Sequence, residues 1–457
     1  MHLPRAKSML SLLVNALLTV LLVVVTIAYF TLFERKLLAA TQRRRGPSMV
    51  GFWGLLQAFA DAMKLLFKSA SAVSGSNYAI FVVSPVVLLS LSLAAWAFVP
   101  IGAPSPLLLE FNYSLAIVMI LSGVNSYFII LSAISSHSRY SHIGGLRAIA
   151  QVLSYEVPLT IILLTICATG GGLNLLNFYY KGAPIGLLTV PAIIMLYIVL
   201  LAETNRTPFD LPEAEAELVA GYNLEYSSIL FAFFFLAEYN NIIVGSMVMS
   251  ILFFNKITFV GCLGFLALFI ITRAVVPRYT YAQLMSMCWT ALIPISTLYF
   301  LFSLVIMSTS GLLPIKTYCA LGALMPAPKT VAVVFDYTTN SPMQTAVIFF
   351  IATLTFVALL LLINKIALKI LQNNKSASSY ECGFAPFSSP VCNFEPNYIP
   401  VALMFLIYDV DILLIFPWAM SVANQSAGGL AALLAFIGLM LCGLIVEAEE
   451  EGVFNSF

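Results

Sequence analysis

Eleven apolar runs constrain this chain before any motif does. They cover roughly 9–33, 79–99, 113–134, 156–178, 187–202, 228–251, 257–276, 292–312, 343–364, 399–420 and 428–446. An α-helix needs about 20 apolar residues to cross a bilayer, and each run is near that length. In lipid the backbone has no water to bond, so only an α-helix or a closed barrel can span it. These runs do not alternate apolar and polar residues as barrel strands do. The expected fold is an all-α polytopic membrane protein with about eleven transmembrane helices. Of 457 residues, 61% are hydrophobic and 9% charged, against about 25% charged in a soluble domain. The opening MHLPRAK resembles a signal peptide. The run behind it is too long for a cleaved leader, so it reads as the first span. No internal repeat is visible.

The basic residues set the orientation. Loops after odd-numbered spans hold fifteen Lys and Arg, and the other face holds six. By the positive-inside rule the N-terminus lies outside and the odd loops inside. Inside means mitochondrial matrix or bacterial cytoplasm. A net charge of +1 gives no reason to expect nucleic acid. Seven scattered cysteines and three histidines offer no ligand spacing for zinc or an iron–sulfur cluster. Cys382 and Cys392 fall on the reducing face, where a disulfide is not expected.

Along the chain, Gly51 to Lys68 gathers Leu55, Leu56, Phe59, Met63, Leu66 and Phe67 near one face. That predicts an amphipathic helix at the interface of the first inside loop, with Asp61 on its wet side. Glu156 stands at the expected mouth of span four, and Glu238 about ten residues down span six. An ionisable group inside a span marks a proton site, a buried ion pair or a snorkelling acid. Arg273 and Arg278 read either as inside anchors or as groups facing a cavity, and Tyr279 fits an aromatic belt. Gly311 to Pro342 carries four prolines and no apolar run, which predicts an outside linker. The long inside loop of the last three spans holds Glu381 and Cys382. Asp409 and Asp411 lie two apart in the tenth span, so they point to different sides of a helix.

One stretch stands apart. LAETNRTPFDLPEAEAELVAGYNLEYSS, from Leu201 to Ser228, holds six carboxylates: Glu203, Asp210, Glu213, Glu215, Glu217 and Glu225. Its sole base is Arg206. On a helix Glu213 and Glu217 would share a face and Glu215 would point away. The stretch closely resembles the signature loop of subunit 1 of respiratory NADH:ubiquinone oxidoreductase, complex I. FERKLLAATQRRRGPSMVGFWGLLQAFADAMKLLFK, LRAIAQVLSYEVPL, AEYNNIIV and RAVVPRYTYAQLM resemble other elements of that family. Beyond them, KSASSYECGFAPFSSP and FLIYDVDILLIFPWA resemble subunit 3 of the same enzyme. The chain thus looks like the two subunits fused: 1–312 with eight spans, a linker over 313–342, and 343–457 with three. It departs from the family pattern at Ala282, Thr290 and Ala385, where ion pairs are put in doubt.

The resemblance implies a membrane subunit with no catalytic residue or redox centre of its own. Ubiquinone would be the bound substrate, and NADH, FMN and iron–sulfur clusters would belong to partner subunits. Those partners would be the hydrophilic cluster-bearing and quinone-headgroup-binding subunits, neighbouring membrane subunits and lipid. A quinone tunnel would take Glu34, Arg35, Asp61, Arg206, Phe209, Asp210, Arg273, Arg278 and Tyr279. A proton path would take Glu156, Glu203, Glu213, Glu215, Glu217, Glu225, Glu238, Asp409 and Asp411. The loop with Glu381 and Cys382 would gate the cavity. The expected location is the mitochondrial inner membrane, with a bacterial plasma membrane as the alternative. Two rival readings are a related plastoquinone-reducing complex or membrane hydrogenase, and a stand-alone ion carrier. The segment Thr204-Asn205-Arg206-Thr207 favours the respiratory form. The acidic inside loop and the lack of repeats count against a carrier.

Overall fold

The computed structural model describes residues 2–69, 76–100, 113–170, 172–181, 190–212, 220–254, 258–310 and 342–371, with 435, 436 and 439. Among these there is no strand. The helices are α1 (His2–Thr41), α2 (Gln57–Phe67), α3 (Tyr78–Ala94), α4 (Ser114–Ser135), α5 (Arg139–Gly170), α6 (Leu175–Lys181), α7 (Val190–Glu203) and α8 (Ser228–Phe254). They continue as α9 (Thr258–Val275), α10 (Tyr281–Ser286), α11 (Ile293–Ser310) and α12 (Pro342–Leu371), with a π-helical turn, Met287–Leu292, joining α10 to α11. Among the described residues, eight segments are long and apolar enough to cross a membrane. The shorter α7 falls on the fifth expected run. The tenth expected run, and all of the eleventh but residues 435, 436 and 439, lie outside the described residues.

The core sits around α5 and α8, whose spans are mostly buried. α5 packs on α4, α7 and α11, while α8 packs on α3, α7 and α9. The outer helices turn apolar side chains such as Leu18, Leu22, Leu298 and Phe302 outward. Hydroxyls within the spans satisfy themselves. Thr19, Thr26 and Thr31 of α1 each donate to the carbonyl three residues back. Ser122, Ser126 and Ser132 do the same in α4. In lipid that removes the cost of a bare donor.

Three boundaries differ from the expectation. The helix of the fourth expected run, α5, starts at Arg139 rather than 156, so Glu156 is buried at mid-helix and not at a mouth. The polar stretch before it faces protein rather than water, and hydropathy alone cannot tell those apart. Gly144 shows this contact: a Cβ there would sit 2.7 Å from the backbone nitrogen of Tyr222. The interfacial helix is also shorter than Gly51 to Lys68. It begins at Gln57 after a 3-10 turn at Phe52–Gly54, where Gly51 and Gly54 take positive φ. Finally, the eighth membrane helix begins at Tyr281 behind a capping box formed by Thr280 and Gln283.

Pro158 inside α5 lacks the N–H that would bond the Ser154 carbonyl. The Cys288 thiol, on the π turn, donates to that carbonyl at 3.0 Å. In return the Tyr155 hydroxyl donates to the Leu284 carbonyl at 3.2 Å, one turn before the π segment. Two irregular turns in adjacent helices thus bond each other.

α12 packs on α1, α2 and α3. Asn364, buried in that contact, donates from Nδ2 to the Leu66 carbonyl at 2.6 Å. Leu66 is in the last turn of α2, where carbonyls lack an intrahelical partner. Asn364→Leu should destabilise the solubilised assembly by about 1–2 kcal/mol, read as a lower melting temperature. An unchanged temperature would mean that water replaces the amide.

Candidate functional site

At one end of the bundle three helix ends meet over a buried acid. Glu34, near the end of α1, is 5% exposed. Arg206, just past α7, bonds its Oε1 at 3.2 Å, and Arg273, in the last turn of α9, bonds the same oxygen. Tyr239 of α8 also hydrogen-bonds Glu34, and the Arg206 guanidinium lies 4.4 Å from the Tyr239 ring centre. Burial works against the charge on Arg206, but Glu34, Tyr239 and Glu238 outweigh it and hold the guanidinium protonated.

The loop carrying Arg206 is held from below. Gln151 of α5, fully buried, donates from Nε2 to the carbonyls of Ala202 and Phe209, both at 2.8 Å. One amide therefore spans the turn that ends α7. Phe209 is buried, stacks on Tyr279 at 5.8 Å and touches the Tyr155 ring at 6.0 Å. Asp210 pairs with Arg278 at 3.1 Å. Burial raises the Asp210 carboxyl above its ordinary value, and Arg278, Arg206 and Arg273 only partly offset this.

Asp61 is bonded on α2 by Arg35 at 2.7 Å and by Gln57 at 3.0 Å. It is thus an ion-pair member as well as a wet-face acid. Phe59, Met63 and Phe67 on the same helix remain exposed. The structure brings Glu34, Arg206, Phe209, Asp210, Arg273, Arg278 and Tyr279 together, with Arg35 and Asp61 alongside through α1.

Four expected acids lie in or beside the core. Glu203 is the last residue of α7 rather than a loop residue. Glu203 and Glu238 line one cavity alongside Tyr222, Asn125, Asn205 and Asn241. The Tyr222 hydroxyl donates to Glu238 at 2.7 Å. Glu156 and Glu225 are both buried. Glu213, Glu215, Glu217, Glu381, Cys382, Asp409 and Asp411 lie outside the described residues. Among the described residues no three His, Cys, Asp or Glu gather as a metal ligand set. Sequence reading does not single out Gln151, Tyr222, Tyr239 or Asn125, and it names Asn205 only as part of a family segment. An amide in an apolar run, as at Asn125, is the available signal.

Residues 14–304 match the family described as NADH dehydrogenase. Residues 356–454 match NADH-ubiquinone/plastoquinone oxidoreductase, chain 3. An NADH-quinone oxidoreductase subunit of Wolbachia pipientis wMel is 40% identical over 336 residues, covering 66% of this chain and 98% of the relative. NADH-ubiquinone oxidoreductase chain 1 of Arabidopsis thaliana is 43% identical over 289 residues, covering 59% of this chain and 89% of the relative.

Glu34→Gln would take from Arg206 and Arg273 the carboxylate they share, leaving Glu238 as the remaining acid that acts on Arg206. It should cost about 3–5 kcal/mol. Asp61→Asn, at an exposed pair, should cost about 0–1 kcal/mol. Melting temperatures of the two assemblies check the order. A carboxyl with a raised folded pKa binds its proton more tightly folded than unfolded. The contribution of Asp210 is therefore present below the usual aspartate range and lost as pH rises through the raised value. Asp210→Asn should flatten that fall in a melting-temperature profile against pH.

Proposed function

Because the chain belongs to the NADH dehydrogenase family of complex I membrane subunits, with a subunit 3 segment fused behind it, we propose that residues 1–312 form the ubiquinone access tunnel and the carboxylate path that couples quinone reduction to proton translocation. The chain is a membrane subunit of an oxidoreductase complex and a multi-pass protein of an inner or plasma membrane. The mitochondrial inner membrane is the proposed location. A linker over 313–342 then leads to the three-span unit at 343–457, whose Glu381–Cys382 loop gates the cavity. Asp409 and Asp411 extend the carboxylate path there.

The observation that carries this reading is the position of Arg206. It bonds Glu34 beside the Phe209–Tyr279 stack, and it also acts electrostatically on Glu238. The aromatic pair suits the ring of a quinone, while the clustered charges suit its polar oxygens. Ubiquinone becomes ubiquinol by taking up two electrons and two protons. The electrons come from partner subunits that carry flavin and iron–sulfur clusters. Loss of quinone charge balance near Glu34 is felt by Arg206, which biases the proton held by Glu238. Glu203 continues the proposed line, which also takes the buried Glu156 and Glu225 and, from the sequence, Glu213, Glu215 and Glu217.

Glu203→Gln and Glu225→Gln keep the shape of the side chain and remove its charge. In the assembled enzyme each should lower NADH:ubiquinone turnover and the linked proton pumping by roughly 10²-fold. Full activity in both variants would sink the carboxylate path. Turnover is followed by NADH absorbance and pumping by a pH-sensitive dye in sealed vesicles.

A further inference from the structure

We propose that Asn125 and Asn205 hold bound water between Glu203 and Glu238, and that this water carries the proton from one carboxyl to the other. The inference rests on the carboxylate path proposed above and assigns it a component that no acidic residue supplies.

Asn125 lies in α4 and Asn205 just past α7, at 5% and 6% exposure. The Oδ1 of each accepts no hydrogen bond from the described residues. A buried amide oxygen left bare costs about 1–3 kcal/mol, and proteins meet that demand with a donor or with water. Both asparagines, from separate elements, line the same cavity, and so do Glu203 and Glu238. Asn125, Glu203, Thr204 and Asn241 also border a second, more apolar cavity between α3, α4, α5, α7 and α8. Asn125 thus stands where a polar chamber meets an oily one.

The space suits water. The cavity offers about 30 Å³ to the centre of a water molecule, and one water needs about 10–15 Å³ by that measure. A buried water needs two to four polar partners, and the two amide oxygens and two carboxyls supply them. The Tyr222 hydroxyl fixes one Glu238 oxygen by donating to it, which orients the acceptor. A water molecule donating to Asn125 or Asn205 turns its own oxygen toward the carboxyls. When the O–H of protonated Glu203 breaks, its proton bonds to the water oxygen. A different O–H of that water breaks, and its proton bonds to the Glu238 carboxylate. One proton has moved, and the water is unchanged. Asn125 acts as a positioning residue, since it touches the water and not the quinone.

The test uses the assembled enzyme in sealed vesicles, with protons moved per NADH oxidised as the readout. Asn125→Leu fills the space and removes the acceptor, so pumping per NADH should fall on the order of tenfold. Asn125→Ser restores an oxygen and leaves room for a further water, so it should recover most of the loss. A packing role predicts the reverse order, because serine leaves the larger void. Unchanged pumping in Asn125→Leu, or a worse defect in Asn125→Ser, overturns the proposal. Defective Glu203→Gln with normal Asn125→Leu would overturn the water alone and leave the carboxylate path standing. Should Asn125→Leu fail to assemble, a high-resolution map of the unaltered enzyme decides. Solvent density bonded to both Oδ1 atoms supports the water site, and an empty cavity or a coordinated cation overturns it.

Discussion

A buried carboxylate between two guanidinium groups is the interaction on which this end of the molecule depends. Glu34 draws Arg206 and Arg273 onto one oxygen, and so ties the ends of α1, α7 and α9 into one place. Taking those charges out of water costs several kcal/mol each, and mutual attraction repays it only where partners are held in good geometry. The geometry here comes from elsewhere. Gln151 fixes the backbone on both sides of Arg206, and the Tyr239 ring lies under its guanidinium. The charged cluster is therefore no more stable than the apolar packing that frames it.

The same requirement, that no polar group be left bare in an apolar surrounding, runs through the rest of the bundle. Hydroxyls in the spans bond backward within their own helices. The carbonyl exposed by Pro158 takes the thiol of Cys288. Trp96 and Asn240 close a further gap, with the indole N–H donating to Oδ1 at 2.7 Å and the amide donating to the Ser92 carbonyl at 2.6 Å. Of the buried polar atoms that protein does not satisfy, those of Asn125 and Asn205 belong to residues that line a cavity. Irregular turns and orphan amides mark the functional region because the regular parts have no polar group to spare.

Much of this is legible in sequence. The first nine apolar runs coincide with α1, α3, α4, α5, α7, α8, α9, α11 and α12, since crossing a bilayer demands length and oiliness. Arg206, Asp210, Arg273 and Arg278 stand out because charge is rare in such a chain. The starts of α5 and of the eighth membrane helix are not legible. Arg139 to Gln151 is polar enough to read as loop, yet its serines and glycines pack inside the protein. Glu156 falls at mid-helix instead of at a mouth for the same reason. The pairing of Arg206 with Glu34 links residues 172 apart, and no spacing rule reaches across that distance.

The sequence by itself determined the helical class, the positions of the described spans and the stretches that carry charge. These follow from local chemistry: apolar length, helix periodicity and the cost of a bare backbone in lipid. Only the tertiary structure decided which charges meet, that Gln151 and Tyr239 hold them, and that Asn125 faces the same cavity as Glu203 and Glu238. Those facts depend on how far each helix is rotated and shifted against its neighbours. That is set by close packing of whole surfaces, to which residues far apart in the chain contribute jointly.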